Sequence, residues 1–322
     1  MNAATMRLIL LATGDIALPA FLELLDRGPR PLALVTQPDK PLGRHQTLTP
    51  SPLKLAALAA GLPVLQPPVI GDVAAELAAM EPDVIVVMAY GQILRQDILT
   101  LARGAIINLH ASLLPRHRGA SCIQAAIAAG DAASGITAMH VIRELDAGDV
   151  IFAQAIPLAA AETGGSLHER LAALAPAVLA ETLRQLAAGS ATRTPQDAGV
   201  ATYAPKLERE DGRIDWTLEA AALERRIRAY DPWPGSFTVV READADRRLK
   251  IFPPVEICDC ELCPGEFALT GDELRVGCGS GGLRLHVVQP EGSRRMSAAE
   301  YLRGRQLHRG GGLQPPCPNP PL

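Results

Sequence analysis

The sequence contains few aromatic residues and shows no excess of positive charge. Aromatic residues make up 3% of the 322 residues and hydrophobic residues 48%, so the core must be built from aliphatic side chains. The formal net charge is -4 at pH 7. A protein that binds nucleic acid by non-specific phosphate neutralisation needs broad positive charge, so the composition excludes that class. A local basic surface is still compatible with this composition.

Long hydrophobic runs are also missing. No stretch approaches the roughly 18 consecutive apolar residues that a membrane span requires. The short apolar run over 6–12 leads directly into Thr13-Gly14-Asp15, which is typical of a strand and turn rather than of a signal-peptide cleavage region. We therefore expect a cytoplasmic protein without a membrane partner. We also expect it to act as a monomer.

Cysteine is scarce, because the six thiols in this chain are too few for a secreted disulfide scaffold. Cys258, Cys260, Cys263 and Cys278 are clustered, but the two-residue spacing of a structural zinc site occurs only once among them. The cluster therefore predicts reduced thiols and no metal. Cys122 lies in an apolar helical stretch without an evident activating base, so we do not expect a cysteine nucleophile.

Short apolar runs alternate with amphipathic stretches over the first two thirds of the chain. This alternation predicts a doubly wound α/β sheet. The run Val84–Met88 has no polar position, which suits a central parallel strand covered on both faces. The predicted strands cover residues 7–12, 31–36, 84–88, 105–109, 136–142 and 150–156. The predicted helices cover residues 17–26, 53–60, 73–80, 121–129 and 166–187.

The composition changes after Gly189. Residues 190–204 are polar and lack an apolar period, as expected of a linker. A helix is predicted over 218–229, and short runs over 237–288, separated by Gly, Pro and Asp, predict a small β-barrel. The predicted organisation is a catalytic domain over 6–189, a linker over 190–207, a C-terminal domain over 208–312 and a disordered tail over 313–322.

The richest chemistry lies at the end of the strand predicted over 105–109. Asn108 and His110 are two residues apart, so they project together at the carboxyl end, where open α/β sheets place their ligands. Downstream, Asp146 and Asp149 flank a glycine, and one of these carboxylates is expected to reach His110. An amide, an imidazole and a carboxylate suit acyl transfer, because donors stabilise a tetrahedral oxyanion while the ionisable pair moves a proton.

The alternatives at this position are a satisfied polar group at a strand end and an ordinary Asp-Gly surface turn. Dinucleotide binding is disfavoured, since the first predicted strand ends in Ala12-Thr13-Gly14-Asp15 without the glycine-rich phosphate fingerprint.

Several motifs that follow one another over most of the chain resemble the folate-dependent formyltransferases. Three segments are similar to the signature of that family: NLHASLLP at 108–115, RGA at 118–120 and DAGD at 146–149. A second set of segments resembles, within the family, the members that formylate methionyl-tRNA. These segments lie at 37–44, 51–54, 88–94, 202–206, 214–216, 227–229 and 232–235.

The resemblance implies a Rossmann-like catalytic domain followed by a small C-terminal β-barrel similar to an OB-fold. It also implies 10-formyltetrahydrofolate as the formyl donor and the amino group of initiator methionyl-tRNA as the acceptor, in support of translation initiation. The family's catalytic residues match Asn108, His110 and Asp146. The stretch that lies against the folate matches Ser112, Leu113, Leu114 and Pro115.

The polar loop over 38–54 separates this interpretation from its nearest alternative, a sugar-nucleotide N-formyltransferase with the same donor. Lys40, Arg44 and Lys54 in this loop are the candidate tRNA-binding residues, and the loop is too polar to belong to the core. A protein that binds folate or tRNA without turnover is a third possibility. Such a protein would not need the amide, the imidazole and the carboxylate together.

The predicted second domain is not basic overall. From Lys206 onward the chain has 17 Lys and Arg against 18 Asp and Glu. Binding of tRNA would therefore rest on a one-sided arrangement of cations. The candidates are Arg225, Arg226, Arg228, Arg294, Arg295, Arg303, Arg305 and Arg309.

Overall fold

The computed structural model describes residues 5–42, 47–242, 245–270 and 273–303. Within these ranges the chain divides into two compact units. The first unit comprises Met1–Cys122, Ala133–Pro157 and His168–Ala204, and the second comprises Ile123–Ala132, Leu158–Leu167 and Pro205–Leu322. The boundaries of the catalytic domain, the linker and the C-terminal domain stay predictions. The tail predicted over 313–322 lies outside the described residues.

The first unit is built on a sheet that has seven strands in the described part of the chain. The strands of the first unit, in chain order, are β1 (Leu8–Ala12), β2 (Ala33–Val35), β3 (Lys40–Leu42), β4 (Thr47–Thr49), β5 (Val64–Leu65), β6 (Val84–Met88), β7 (Ala105–His110), β8 (Ala133–His140) and β9 (Val150–Pro157). The sheet order is β5-β2-β1-β6-β7-β8-β9, and β3 pairs with β4 in a separate hairpin.

The pairings from β5 to β7 are parallel, whereas β8 pairs antiparallel with both β7 and β9. All five residues of β1 are buried, and so are four of the five in β6, as the absence of a polar face predicts for central strands. The α/β fold class is confirmed. The sequence pattern did not indicate β5, which has two residues, or the antiparallel edge that β8 and β9 form.

Helices connect and cover these strands. Helix α2 begins at Pro52 after Ser51, whose side chain accepts a hydrogen bond from the N–H of Lys54 at 3.2 Å, as expected of a helix cap. The helices of the described chain are α1 (Leu18–Asp26), α2 (Pro52–Ala59), α3 (Ala74–Ala79), α4 (Gln96–Leu99), α5 (Cys122–Ala129), α6 (Gly164–Ala188), α7 (Ala220–Ala229) and α8 (Ala298–Arg303).

Helix α6 is long and apolar enough to cross a membrane by length and composition alone. Its burial follows the helical period, because Leu171, Ala175, Val178 and Leu183 lie on one face and are at most 2% exposed. That pattern is typical of a helix packed against a protein core.

The second unit contains an antiparallel sheet against which α7 and α8 pack. Its strands are β10 (Ser236–Glu242), β11 (Ala245–Cys258), β12 (Phe267–Thr270), β13 (Glu273–Gly277), β14 (Gly282–Pro290) and β15 (Met296–Ser297). The order is β10-β11-β14-β13-β12, and β15 pairs with β14. Trp216 is 1% exposed in the core of this unit, and its Nε1 donates to Oγ1 of Thr238 at 3.1 Å.

The sheet of the second unit is curled but open. Within the described residues no pairing joins β10 to β12, so the two edges do not close. The predicted C-terminal β-structure is confirmed, and its curled sheet forms a half-barrel.

Candidate active site

The carboxyl end of β7 holds the two polar residues that the sequence singled out. His110 is the last residue of β7 and Asn108 lies two positions earlier, so alternation along the strand places them on the same side. The loop over 141–149, which joins β8 to β9, supplies the carboxylate. Asp146 adopts a φ of 50°, a left-handed conformation that is uncommon for a residue other than glycine.

Asn108, His110 and Asp146 meet at this end of the sheet. Nδ2 of Asn108 donates to Oδ1 of Asp146 at 3.3 Å. Nδ1 of His110 lies 3.6 Å from Oδ2 of Asp146, and the two side chains are 7% and 10% exposed. The spacing left both Asp146 and Asp149 open as partners of His110. The structure places Asp146 there, whereas Asp149 lies 3.7 Å from Nη1 of Arg193.

The other ring nitrogen of His110 is also engaged, because Nε2 donates to the carbonyl oxygen of His117 at 2.9 Å. Burial acts to lower the pKa of His110, but the Cys122 thiol, the Asp146 carboxylate and the His117 carbonyl outweigh it and raise the pKa to about 9. The raised pKa favours the imidazolium form of His110 at neutral pH. Cys122 contacts this ring, which the sequence pattern did not indicate.

The backbone completes the surroundings of the carboxylate. The N–H of Gly119 donates to Oδ2 of Asp146 at 2.8 Å. Gly119 has a φ of 107°, and a Cβ there would lie 2.5 Å from the carbonyl oxygen of Ala204, so both conformation and space require glycine. Within the loop, a Cβ on Gly148 would lie 1.8 Å from the carbonyl oxygen of His140. The loop therefore packs too closely on β8 to admit a side chain.

A cavity of about 210 Å³ opens beside the trio. Asn108 and Asp146 form part of its wall, so an amide and a carboxylate are presented to anything bound there. The remaining wall combines apolar side chains with the backbone of the loop over 141–149. It is formed by Val87, Gln92, Ile93, Leu94, Met139, His140, Val141, Ile142, Arg143, Glu144, Leu145, Ala147 and Gly148.

The predicted folate-contacting stretch leaves β7 next to this site. Ser112 is buried, and its Oγ donates to the carbonyl oxygen of Arg116 at 2.7 Å. Thr137 of β8 fixes the stretch, because its Oγ1 donates to the carbonyl oxygen of Ser112 at 2.7 Å and accepts from the N–H of Leu114 at 3.2 Å. Leu113, Leu114 and Pro115 are half-buried.

The three candidate tRNA-binding residues differ in their surroundings. Lys40 is exposed on β3. Nζ of Lys54 lies 2.6 Å from Oδ2 of Asp39, and this contact, with a hydrogen bond from Gln66, lowers the pKa of the Asp39 carboxyl. Lys54 is 20% exposed, so much of its charge is committed to Asp39. Arg44 lies outside the described residues.

Sequence reasoning missed Gln196, which falls in the segment predicted as a linker. This residue reaches the loop that carries Asp146, since its Nε2 donates to the carbonyl oxygens of Asp146 at 2.9 Å and Gly148 at 2.8 Å. The linker interpretation rested on polar composition, and composition does not reveal which polar side chain is folded back. The motifs at 118–120 and 202–206 contain Arg118 and Tyr203, and the Arg118 guanidinium contacts both Gln196 and Tyr203. These motifs were the sequence signal that the region lies near the site.

No cluster of three or more metal-ligating side chains occurs in the part of the chain that the structure describes. The four clustered cysteines are free thiols, among which Cys263 is exposed and Cys278 is buried. The absence of a metal requirement stays a prediction.

Known proteins are similar to this chain over nearly its full length. A methionyl-tRNA formyltransferase of Akkermansia muciniphila is 50% identical over 304 residues, which cover 93% of this chain and 96% of that protein. A methionyl-tRNA formyltransferase of Geobacter metallireducens is 41% identical over 310 residues, covering 95% of this chain and 98% of that protein.

A solved structure shares the fold at low identity. The N-formyltransferase of Helicobacter canadensis, in complex with folinic acid and dTDP-3-aminofucose, superposes with a TM-score of 0.65 at 12% identity, covering 90% of this chain and 100% of that one. At this identity the likeness concerns the fold alone.

Family models match both halves of the chain. Residues 7–183 match the model described as formyl transferase, and residues 206–306 match the model of its C-terminal domain. Together with relatives of 50% and 41% identity over almost the whole length, these matches are decisive. The chain belongs to the formyl transferase family.

Proposed function

We propose that the protein transfers a formyl group from 10-formyltetrahydrofolate to the α-amino group of initiator methionyl-tRNA, in support of translation initiation. The observation that carries the proposal is the convergence of Asn108, His110 and Asp146 beside a cavity of about 210 Å³. Relatives that bear the name methionyl-tRNA formyltransferase support the choice of acceptor. The protein acts as a monomer in the cytoplasm, where its acceptor is found.

The reaction begins with attack of the neutral amine on the formyl carbon. A new C–N bond forms, and the carbonyl electron pair moves onto the formyl oxygen. Asn108 stabilises this oxyanion, because only one of its two amide hydrogens is directed at Asp146 and the side chain lies in the cavity wall. The interaction strengthens as negative charge develops, so it acts mainly on the transition state.

His110 supplies positive charge next to the same oxygen. Its raised pKa, about 9, keeps the ring protonated at neutral pH. In the substrate complex Nε2 exchanges the His117 carbonyl for the oxyanion, while Asp146 keeps Nδ1 in place. A developing oxyanion is a stronger acceptor than a carbonyl, which favours this exchange.

Asp146 handles the proton. Its carboxylate takes a proton from the attacking amine, and the tetrahedral intermediate then collapses. The C–N bond to N10 of the folate breaks, the carbonyl re-forms, and the proton held by Asp146 passes to N10, so that tetrahydrofolate leaves. Proximity of the two substrates contributes much of the remaining acceleration.

The cavity wall suits a flat heteroaromatic ring. Val87, Leu94 and Val141 offer apolar contact, and the backbone of the loop over 141–149 offers donors and acceptors at its edge. The complex of the Helicobacter canadensis N-formyltransferase contains folinic acid, a folate derivative. We assign the cavity to the pteridine ring and place Ser112–Pro115 against the folate.

Several of the candidate tRNA-binding arginines already contact other groups of the protein. In the second unit, Arg228 pairs with Glu224 at 2.5 Å, Arg226 donates to the carbonyl of Asp211 at 2.9 Å, and Arg225 donates to the carbonyl of Ala128 at 3.3 Å. These three arginines are held by protein groups. We therefore assign tRNA phosphate contact first to the exposed Lys40 of the hairpin and to Arg44, which lies outside the described residues, with Lys54 as a weaker contributor.

A transfer assay tests the function. Purified protein is incubated with 10-formyltetrahydrofolate and either charged initiator tRNA or a nucleotide-linked amino sugar, and release of tetrahydrofolate is followed. Release that depends on methionyl-tRNA is expected. Release only with the amino sugar would favour a sugar-nucleotide N-formyltransferase, the nearest alternative in the sequence analysis. Release without any acceptor would indicate a hydrolase, and folate binding without release a binding protein.

A further inference from the structure

The segment from Thr192 to Ala204 is bound to the rest of the first unit at several points. Thr194 exchanges two backbone hydrogen bonds with Val150 at 2.8 and 3.0 Å, at the start of β9. Further along, the N–H of Arg118 donates to the carbonyl of Thr202 at 2.8 Å, and the N–H of Ala204 donates to the carbonyl of Arg118 at 2.7 Å. Gln196 lies between these two attachments, next to both loops that surround Asp146.

Every polar atom of the Gln196 side chain is engaged. Nε2 donates to the carbonyl oxygens of Asp146 at 2.9 Å and of Gly148 at 2.8 Å. Oε1 accepts from Nε and Nη2 of Arg118 at 3.1 and 2.8 Å. Arg118 is 5% exposed, so this amide is the acceptor for a buried guanidinium. The two loops are thus joined through one side chain.

The two loops meet again at the catalytic carboxylate. Gly119 follows Arg118 directly, and its N–H donates to Oδ2 of Asp146 at 2.8 Å. Gln196 therefore holds both sides of this contact, because it binds the backbone carbonyl of Asp146 and the side chain of Arg118, the residue before Gly119. Asp146 also has a φ of 50°, a conformation that persists only where its surroundings hold it.

We propose that Gln196 is a positioning residue that sets the carboxylate of Asp146 for proton transfer, with Arg118 as its partner. The inference rests on the proposed function, since it says how that site is assembled. Glutamine suits the position because it presents two donors to carbonyls and an acceptor to a guanidinium. Glutamate would place an oxygen against the carbonyls of Asp146 and Gly148, and methionine would fill the space without hydrogen bonds.

The experiment compares Gln196→Met and Gln196→Glu with a control in the same segment. Thr192→Ala is the control, because Oγ1 of Thr192 donates to the carbonyl of Ile151 at 3.0 Å, away from Asp146. In the methionyl-tRNA assay both Gln196 variants are expected to lose about 10²-fold in kcat, the scale of a catalytic group misplaced by about 1 Å. The KM for folate and for tRNA should change less than about twofold, and Thr192→Ala should match the wild type.

A double-mutant comparison tests whether Gln196 acts through Asp146. Adding Gln196→Met to Asp146→Asn should lower kcat less than about twofold further, because the group being positioned is already gone. A full additional loss of about 10²-fold would overturn the proposal. So would a Gln196→Met enzyme with the kcat of the wild type, or a Thr192→Ala enzyme as impaired as Gln196→Met.

A second readout does not depend on activity. Amide hydrogen exchange of the ligand-free protein should be about tenfold faster for the peptide that contains Gly119 in Gln196→Met, with no change in Thr192→Ala. Unchanged exchange in Gln196→Met would overturn the positioning. If the wild type fails to formylate methionyl-tRNA, the proposed function fails, and this exchange measurement still decides whether Gln196 holds the loops.

Discussion

Nδ1 of His110 lies 3.6 Å from Oδ2 of Asp146, and the two side chains are 7% and 10% exposed. The other ring nitrogen donates to the carbonyl of His117 at 2.9 Å. Both nitrogens of a buried imidazole thus face acceptors, an arrangement that favours the protonated ring. A cation next to a carboxylate and an amide is what a reaction with a developing oxyanion needs.

Protonation of His110 should contribute to folding stability. Its pKa in the folded protein, about 9, is higher than the 6.5 of an unperturbed histidine, so the contribution is complete below about pH 6.5 and lost as the pH rises through about 9. The melting temperature of the wild type should therefore fall more than that of His110→Gln between about pH 6 and about pH 10. The difference between the two curves removes the contribution of titrating groups that do not contact His110. Parallel curves would contradict the raised pKa.

Asn108→Ala should lower kcat about 10²- to 10³-fold and leave folate affinity nearly unchanged, because the amide acts on charge that develops in the transition state. Steady-state kinetics and calorimetric titration with a folate that cannot transfer its formyl group separate the two effects. Ile93→Ala is the contrasting variant, since Ile93 lines the same cavity and is 79% exposed. It should raise the KM for folate with kcat preserved. A raised KM with normal kcat in Asn108→Ala would make Asn108 a binding residue.

His110→Ala and Asp146→Asn should each lower turnover by about two orders of magnitude or more, the usual scale for losing an oxyanion donor or a proton-transfer group. Melting curves at neutral pH establish that each variant is folded when it is assayed. Near-native turnover in either folded variant would remove that residue from the proposed mechanism.

Gly148→Ala should destabilise the loop over 141–149, because its Cβ would lie 1.8 Å from the carbonyl oxygen of His140. Forcing a methyl group into such a contact costs about 1–3 kcal/mol of stability, and turnover should fall with it as Asp146 shifts. Gly199→Ala is the matched control, since its Cβ would meet only the Asp197 side chain, at 3.2 Å, and no backbone atom. Denaturant unfolding measures both, and equal stability of the two variants would argue against the close packing.

Lys40→Ala should weaken tRNA binding and reduce its salt slope by about one unit, as expected when one phosphate contact is lost. Lys54→Met should have a smaller effect on the slope, because Nζ of Lys54 is already 2.6 Å from Oδ2 of Asp39. Titration of charged tRNA at several salt concentrations checks both. An equal reduction of the slope in the two variants would show that Lys54 leaves Asp39 when tRNA binds. Arg44→Ala should behave like Lys40→Ala and spare folate binding.

Local sequence pattern was sufficient for the central strands and for two members of the trio. β6 begins and ends at Val84 and Met88, as the apolar run predicts, because a strand buried on both faces leaves no polar position. Asn108 and His110 share one side of β7 because alternation along a strand is a local property. The fold class and the family follow from such patterns and from motifs that can be recognised without coordinates.

Contacts between residues far apart in sequence could not be predicted from the local pattern. The spacing left Asp146 and Asp149 equivalent, and the structure separates them by turning Asp146 toward His110 and Asp149 toward Arg193. Likewise, the polar segment over 190–204 has the composition of a linker, yet Gln196 reaches across 50 positions to the carbonyl of Asp146.

The sequence by itself thus determined the alternation of strands and helices, the family and the chemical groups available for acyl transfer, because each depends on neighbours along the chain. Only the tertiary structure decided which carboxylate meets His110, that Lys54 is paired with Asp39, and that Gln196 joins two loops. These outcomes depend on hydrogen bonds and ion pairs between segments far apart in sequence. Residue periodicity does not predict these contacts, because the path of the backbone determines which polar groups come within about 3 Å of each other.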